Sequence, residues 1–354
     1  MHKNRFQYAN ERCKDIFFYF LILSGFCQFL SLALRKPAQI SAVILSYEII
    51  VCQIRIKFDN RKHLCYSIGN KRRKNYLFRV FCSSFFYFEF GNKAMQFFDT
   101  HAHIGLIYED SIEQLRVIQQ AKQAGVTRIV SINNSLHDFK IVYNNLKSLS
   151  GIYHAVGVAP SEVVNPGKGW ISQIEEYVKL PNIVAIGETG LDYYKQFGNK
   201  HSQIELFITQ LELAQKYNFP VIIHNRNAGN DVFEILKDRI PSSGAILHCY
   251  SEDAAYAKRC LKANLNVYFS FAGNLTYRNA RNLHETVLNV PHDRILIETE
   301  SPFMIPAEFR ERKRTMPAYL PSTARFLAEM LAIPLEELCE QLWQNSCKIF
   351  NLPL

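Results

Sequence analysis

Residues 97–103 read Phe-Phe-Asp-Thr-His-Ala-His, an apolar pair that runs straight into a His-x-His. On a strand, side chains alternate faces with period two, so His101 and His103 point the same way and can hold one metal ion between them. Asp99 has the same parity and is expected to orient one of the rings. Four residues farther along match this chemistry: Glu188, His224, His248 and Glu300. Together the six offer four imidazoles and two carboxylates, a donor set for a divalent ion such as Mg, Mn or Zn, and a carboxylate can bridge two such ions. Two ions roughly 3.5–4 Å apart activate a water and stabilise both the attacking and the leaving oxygen of a displacement. Glu188 is the expected bridge, because it sits in Ile186-Gly187-Glu188-Thr189-Gly190, where the glycines leave room for a ligand. Glu300 is expected to bind one ion and take the proton from the attacking water.

The elements that would carry these residues follow from the pattern after Met95. Short apolar runs appear at 97–100, 128–132, 153–158, 183–187, 221–224, 245–248, 267–271 and 295–298. Helix-like stretches lie between them, such as 112–124, 203–217, 232–237, 254–263 and 278–288, and two more follow at 321–331 and 335–350. Strand–helix alternation implies parallel strands joined by crossover helices. Eight units in about 260 residues is the size of a (β/α)8 TIM barrel, whose site residues lie at strand C-terminal ends. A doubly wound open sheet is the other candidate, but no Gly-x-Gly-x-x-Gly follows an early strand. At about thirty residues per unit, the six donors fall at the ends of strands one, four, five, six and eight. A single histidine at a strand end is usually satisfied by a backbone carbonyl. Six donors in register with one rim make the metal reading the stronger one. His137, His154, His201, His284 and His292 fall elsewhere and read as structural.

Substrate-side candidates flank the same ends. Arg226 follows His224 by two residues, and its planar fork suits a phosphate or carboxylate. Tyr193 and Tyr194 after the fourth strand, and Phe303 after the eighth, offer stacking faces. The run Arg310, Arg312, Lys313 and Arg314 suits either a polyanion or a solvated loop. Cys249, next to His248, should face away from the site as a core residue.

Charge divides the chain at Met95. Of the formal +9, residues 1–94 hold 16 Lys/Arg against 5 Asp/Glu, leaving 25 against 27 in 95–354. The high pI therefore says nothing about nucleic-acid binding by the main domain. Cysteines fit neither a zinc knuckle nor a disulfide framework, as expected for a cytoplasmic protein, and nothing predicts a stable protein partner. Residues 1–94 form an atypical leader without consistent helical or strand periodicity. The preferred expectation is upstream sequence translated from an early start, with the working protein beginning at Met95. The alternative is a membrane anchor through Ile16–Leu34, nineteen uncharged residues flanked by basic ones.

Six motifs carry a family resemblance over Met95–Leu354. They are Asp99-Thr100-His101-Ala102-His103, Gly187-Glu188-Thr189-Gly190-Leu191-Asp192-Tyr193-Tyr194, Pro220-Val221-Ile222-Ile223-His224, Leu247-His248-Cys249-Tyr250-Ser251, Glu298-Thr299-Glu300-Ser301-Pro302 and Pro317-Ala318-Tyr319. In these the chain resembles the TatD-type deoxyribonucleases, metal-dependent hydrolases of the amidohydrolase superfamily. The resemblance implies a (β/α)8 fold, two divalent ions and hydrolysis of phosphodiester bonds in DNA, often from the 3′ end, with RNA also admissible. Four positions depart from the family pattern: Glu300 stands for Asp, Ala159 for a His of the third strand end, Asn227 for Asp and Phe309 for a His. The extra methylene of Glu300 is expected to push its carboxylate outward by on the order of 1 Å, enough to cost about a hundredfold in rate. These departures keep two alternatives open, a same-fold hydrolase of a different ester or amide and a catalytically weak metal-binding paralogue.

Overall fold

A computed structural model of the chain describes residues 95–354 and two leader segments, Ile54–Phe58 and Leu64–Ile68. The leader segments pair as an antiparallel hairpin, Ile54 opposite Ile68. The apolar–basic alternation Ile54-Arg55-Ile56-Lys57-Phe58 is a strand signal, so the reading of the leader as unpatterned fails for this stretch. Among the described residues no helix is long and apolar enough to cross a membrane. Ile16–Leu34, where an anchor would lie, is outside them, and so is the rest of the leader.

From Phe97 onward eight strands form one sheet in chain order, each parallel to the next. They are β1 (Phe97–Ala102), β2 (Val126–Ser131), β3 (Ile152–Val156), β4 (Ile183–Asp192), β5 (Val221–Arg226), β6 (Ala245–Leu247), β7 (Val267–Phe271) and β8 (Ile295–Ile297). Helices cross over between them: α1 (Ser111–Gln123), α2 (Leu136–Leu146), α3 (Trp170–Tyr177), α4 (Lys200–Tyr217), α5 (Gly229–Arg239), α6 (Ala254–Lys262) and α7 (Arg281–Val287). Helices α8 (Leu320–Leu331) and α9 (Leu335–Ile349) complete the ring. Asp110, Ser135, Asn199 and Asp253 each cap a helix, accepting a hydrogen bond from the backbone N–H three residues on.

Period-two alternation sorts the strand residues into two apolar layers. Val221, Ile223, Ala245, Leu247, Phe269 and Ile295 face the helices. Their neighbours Ile222, Ile246, Tyr268 and Leu296 fill the barrel interior with Phe98. On that inward parity the next residues up are His224, His248, Ser270 and Glu298, so the apolar floor gives way to polar groups at the strand C-terminal ends. At the other end Phe98 packs against Tyr153, Trp343 and Phe350, which seal the floor.

The barrel closes between β1 and β8 through a single bridge, Ala102 with Ser301. His103 N–H donates to Ser301 O at 2.9 Å, and Glu300 N–H to His101 O at 3.0 Å. Asp99 spans this seam too: its carboxylate accepts from the Thr299 hydroxyl at 2.6 Å and the Thr299 N–H at 2.9 Å.

Two buried glutamines seven residues apart on α4 hold the ends of neighbouring strands. Gln210 accepts from Val158 N–H at 2.8 Å and donates to Val158 O at 2.9 Å and Thr189 Oγ1 at 2.7 Å. Gln203 accepts from Asp192 N–H at 2.8 Å and donates to Asp192 O at 3.1 Å. Each glutamine thus satisfies backbone groups that would otherwise be left unpaired where the ladder ends.

Candidate metal centre

The six donors chosen from sequence meet at one rim. His101 and His103 come from β1 and the residue after it, Glu188 from β4, His224 from β5, His248 from the end of β6, and Glu300 from the loop after β8. His101 Nε2 lies 3.1 Å from His103 Nε2. Glu300 Oε2 is 3.2 Å from the first of these nitrogens and 3.7 Å from the second. On the other side, Glu188 Oε1 lies 2.9 Å from His224 Nδ1 and 3.1 Å from His248 Nε2. The two Glu188 oxygens face opposite ways, because Oε2 stands 3.7 Å from His101 Nε2 and 3.5 Å from His103 Nε2. The rings of His101 and His248 stack at 4.0 Å with planes 9° apart.

The convergence of His101 and His103 has a different origin from simple alternation. The pairing of β1 with β2 is irregular between Asp99 and Ala102, and the strand ends before His103, which opens a short helical turn. Asp99 does not orient a ring. Besides Thr299 it takes the backbone N–H of His101 at 3.3 Å, so it fixes the path of the chain beneath the site. Burial raises its pKa to about 7, against the pull of those bonds.

The glycines beside Glu188 serve the backbone, not a ligand. A Cβ on Gly190, at φ +130°, would overlap the His224 carbonyl oxygen, and one on Gly187 would meet Ile222 O at 2.8 Å. They let β4 run tight against β5 and so bring Glu188 to His224. Cys249 is no core residue either. It is half-buried with φ +41°, its N–H donates to Glu298 Oε1 at 2.7 Å, and burial with the charges of Glu300, Glu298 and Glu188 pushes its thiol well up.

The geometry adds two acids. Glu298 is fully buried, with Oε1 3.5 Å from His248 Nδ1 and Oε2 accepting from the Ser270 hydroxyl. Asp192 places Oδ2 3.1 Å from His224 Nε2. Both carried a signal: Glu298 shares strand parity with Glu300, and Asp192 shares it with Glu188 on a β4 that runs five residues beyond the apolar stretch.

Electrostatics divides the site in two. Burial works against charge throughout. It drives His101 far below its ordinary value, helped by His248 and His103, and brings His103 to about 4. Burial also lifts Glu300 to about 8, opposed by His248 and reinforced by Glu188 and Glu298. Around Glu188 the ion pairs outweigh burial: His248 and His224 hold its carboxyl far below the usual range, His224 rises to about 9 between Asp192 and Glu188, and Glu188, Glu298 and Glu300 hold His248 well above its ordinary value.

These residues fit a divalent cation. Ligand atoms of such an ion stand about 2.0–2.2 Å from it, which puts neighbouring ligands about 3 Å apart, as the two histidine nitrogens and the nearest Glu300 oxygen are here. Glu300 Oε2 is buried without a hydrogen-bond partner. Four buried carboxylates, Glu188, Asp192, Glu298 and Glu300, crowd the rim, and bound positive charge relieves them. Two distinct groupings have their ligand atoms within reach of one ion, His101 with His103 and Glu300, and Glu188 with His224 and His248; a third, His101 with His248 and Glu298, overlaps both. The longer Glu300 side chain does not miss the cluster, since the loop bends at φ +53° and returns its carboxylate to the imidazoles.

On the substrate side, the Arg226 guanidinium stacks over Tyr194 at 4.1 Å, and both are exposed at the rim. Tyr193 turns away, donating to Asp231 Oδ2 at 2.6 Å. The Phe303 ring is half-exposed, 6.4 Å from His103. Ala159 is buried and brings no polar side chain, Asn227 is exposed at φ +55°, and Phe309 stacks on Tyr319 at 4.0 Å. Arg310 and Arg314 rest on Tyr277 and Tyr108, leaving Arg312 and Lys313 in solvent.

The chain is similar to known proteins. The family model described as TatD related DNase matches residues 98–351. The uncharacterized metal-dependent hydrolase YabD of Bacillus subtilis is 36% identical over 257 residues, covering 72% of this chain and 99% of the relative. YcfH of Escherichia coli K12, also an uncharacterized metal-dependent hydrolase, is 31% identical over 257 residues, 72% of this chain and 95% of its own. Among solved structures, the TatD homologue YJJV of Escherichia coli K12 superposes with a TM-score of 0.67 at 26% identity, covering 73% of this chain and 99% of that one. An organophosphorus hydrolase of Deinococcus radiodurans shares the fold alone, with a TM-score of 0.52 at 14% identity. With barrel, donors and family model in agreement, the chain belongs to the TatD family of metal-dependent hydrolases.

Proposed function

We propose that the chain hydrolyses phosphodiester bonds of DNA, as an exonuclease that works from strand ends with two divalent ions. The observation that carries this reading is the placement of Glu188, one oxygen toward His101 and His103 and the other toward His224 and His248. From that position Glu188 would help to hold ions on either side, together with His101 and His103 or with His224 and His248, and the description of the matching family model supplies the substrate class. Divalent ions held by His101, His103, Glu188, His224, His248 and Glu300 would supply a water of lowered pKa and positive charge for the phosphoryl oxygens. Glu300 then takes the proton of the attacking water, since its Oε2 has no competing hydrogen bond. Arg226, free at the rim on its Tyr194 platform, receives a backbone phosphate through its planar fork. Nucleic acid, DNA before RNA, is the partner in this reading, and the reaction is placed in the cytoplasm.

One observation favours a second reading. Ala159 offers no donor at the end of β3, so a same-fold hydrolase of another ester or an amide is the alternative. The test is end-labelled single-stranded DNA with Mg2+, Mn2+ or Zn2+, run beside carboxylic ester and amide substrates. The expected result is stepwise shortening of the DNA that stops with chelator and falls about a hundredfold or more in Glu188→Gln, comparable to the loss from a badly misplaced reacting group. Turnover of esters or amides with intact DNA would replace the first reading by the second. Glu300→Asp gauges the weak-paralogue alternative: a large gain in DNA cleavage would show that the native glutamate limits the reaction.

A further inference from the structure

The two halves of the donor set are supported differently from behind. In the half made by Glu188, His224 and His248, each imidazole has an acid at its far nitrogen. Asp192 Oδ2 is 3.1 Å from His224 Nε2, and Glu298 Oε1 is 3.5 Å from His248 Nδ1. Both acids are themselves fixed. Asp192 is buried, its Oδ1 accepts from Lys195 N–H at 2.7 Å, and Gln203 grips its peptide groups on both sides. Glu298 has Oε1 on Cys249 N–H and Oε2 on the Ser270 hydroxyl, so both its oxygens are occupied within the protein. In the other half no acid stands behind a ring: the Nδ1 atoms of His101 and His103 are buried without hydrogen-bond partners, whereas His248 Nδ1, also without a hydrogen bond, has the carboxylates of Glu298 at 3.5 Å and Glu300 at 3.8 Å.

A carboxylate only accepts. Asp192 therefore sets the proton of a neutral His224 on Nε2 and leaves the Nδ1 lone pair facing Glu188. Glu298 makes no hydrogen bond to His248, but its negative charge 3.5 Å from Nδ1 favours the neutral tautomer with the proton there and leaves Nε2 facing the same Glu188 oxygen. Rings held in the correct tautomer and orientation bind an ion without rearranging, and removal of such support commonly costs about 10–100-fold in metal affinity.

The geometry points to an ordered uptake, in which Asp192 and Glu298 act as positioning residues that make the Glu188/His224/His248 half the first to take a divalent cation, the His101/His103/Glu300 half filling at higher concentration. This rests on the two-ion reading above. The experiment is equilibrium dialysis of the metal-free, full-length chain against Mn2+, with bound metal counted by mass spectrometry. Two classes of site are expected. Asp192→Leu and Glu298→Gln should each weaken the tighter class about 10–100-fold and leave the weaker class in place. Glu300→Gln should weaken only the weaker class. A thermal melt of each metal-free variant identifies any that simply fails to fold, and Asp192→Asn, which keeps an acceptor oxygen, then serves as the gentler replacement. Equal loss in both classes, or a tighter class untouched by Asp192 variants, would overturn the ordering. Uptake of one ion in total would sink the two-ion reading while still testing the order: that ion should vanish in His224→Asn, and its survival there with loss in His101→Asn would reverse the assignment.

Discussion

His154 shows what burial costs a residue that takes no part in the site. It faces outward from β3 into the helix layer, with its ring edge-on to Phe139 and Tyr143 at centroid distances of 6.4 and 5.0 Å. It is fully buried, and neither ring nitrogen has a hydrogen-bond partner. Such an unpaired group costs about 1–3 kcal/mol. His154→Leu, close in volume, is therefore expected to raise the melting temperature by removing part of that cost. Burial also depresses the pKa of His154 from 6.5 to about 4. The unfolded chain takes up the proton first as pH falls, so the neutral ring's contribution is whole above about pH 6.5 and declines toward pH 4, by about 1.4 kcal/mol per pH unit. Thermal melts across that window should show a shallower acid decline in the leucine variant than in the native protein. An identical decline would mean that His154 finds a proton acceptor when folded.

At the scale of elements, the most constrained piece is β4. It is buried along all ten residues, carries Glu188 and Asp192, and lies so close to β5 that position 190 admits no side chain. Gly190→Ala must push the strands apart or strain the backbone at φ +130°, and should cost on the order of 2–5 kcal/mol. Gly167→Ala is the control: its φ of +91° carries the backbone strain, but nothing lies within 4 Å of the added methyl. Urea unfolding of the two variants should therefore separate steric overlap from strain, with Gly190→Ala the more damaged. The sequence made much of this layer legible. Apolar runs located all eight strands to within a few residues, apart from β4, because fully buried parallel strands leave a continuous hydrophobic trace. The outer part of β4 was hidden, since Glu188-Thr189-Gly190 breaks that trace with polar and small residues. Asp192 was missed for the same reason, and Gln203 looks like any polar helix residue until the fold turns it inward. The glycines announced a close approach correctly, but not that the approaching group was a neighbouring strand.

Taken whole, the barrel is asymmetric about its own closure. Seven strand pairs are joined by ladders, whereas β1 and β8 meet through one bridge and a few side chains around Asp99 and Thr299. No pattern in the chain foretells that weakness, because it arises where the first and last strands happen to meet. The donors straddle this junction, with His101 and His103 on one bank and Glu300 on the other. A cation gripped from both banks would act as a clasp. Occupancy and closure are then a single equilibrium, and free metal at a hundred times its dissociation constant is worth about 2.7 kcal/mol to the folded state. Stripping the protein with a chelator should lower its melting temperature and speed amide exchange at His103 and Glu300 before it disturbs the strands on the far side. Chemistry and mechanical integrity would in that way be fastened at the same place, so that a barrel unable to hold its ions is also one that gapes.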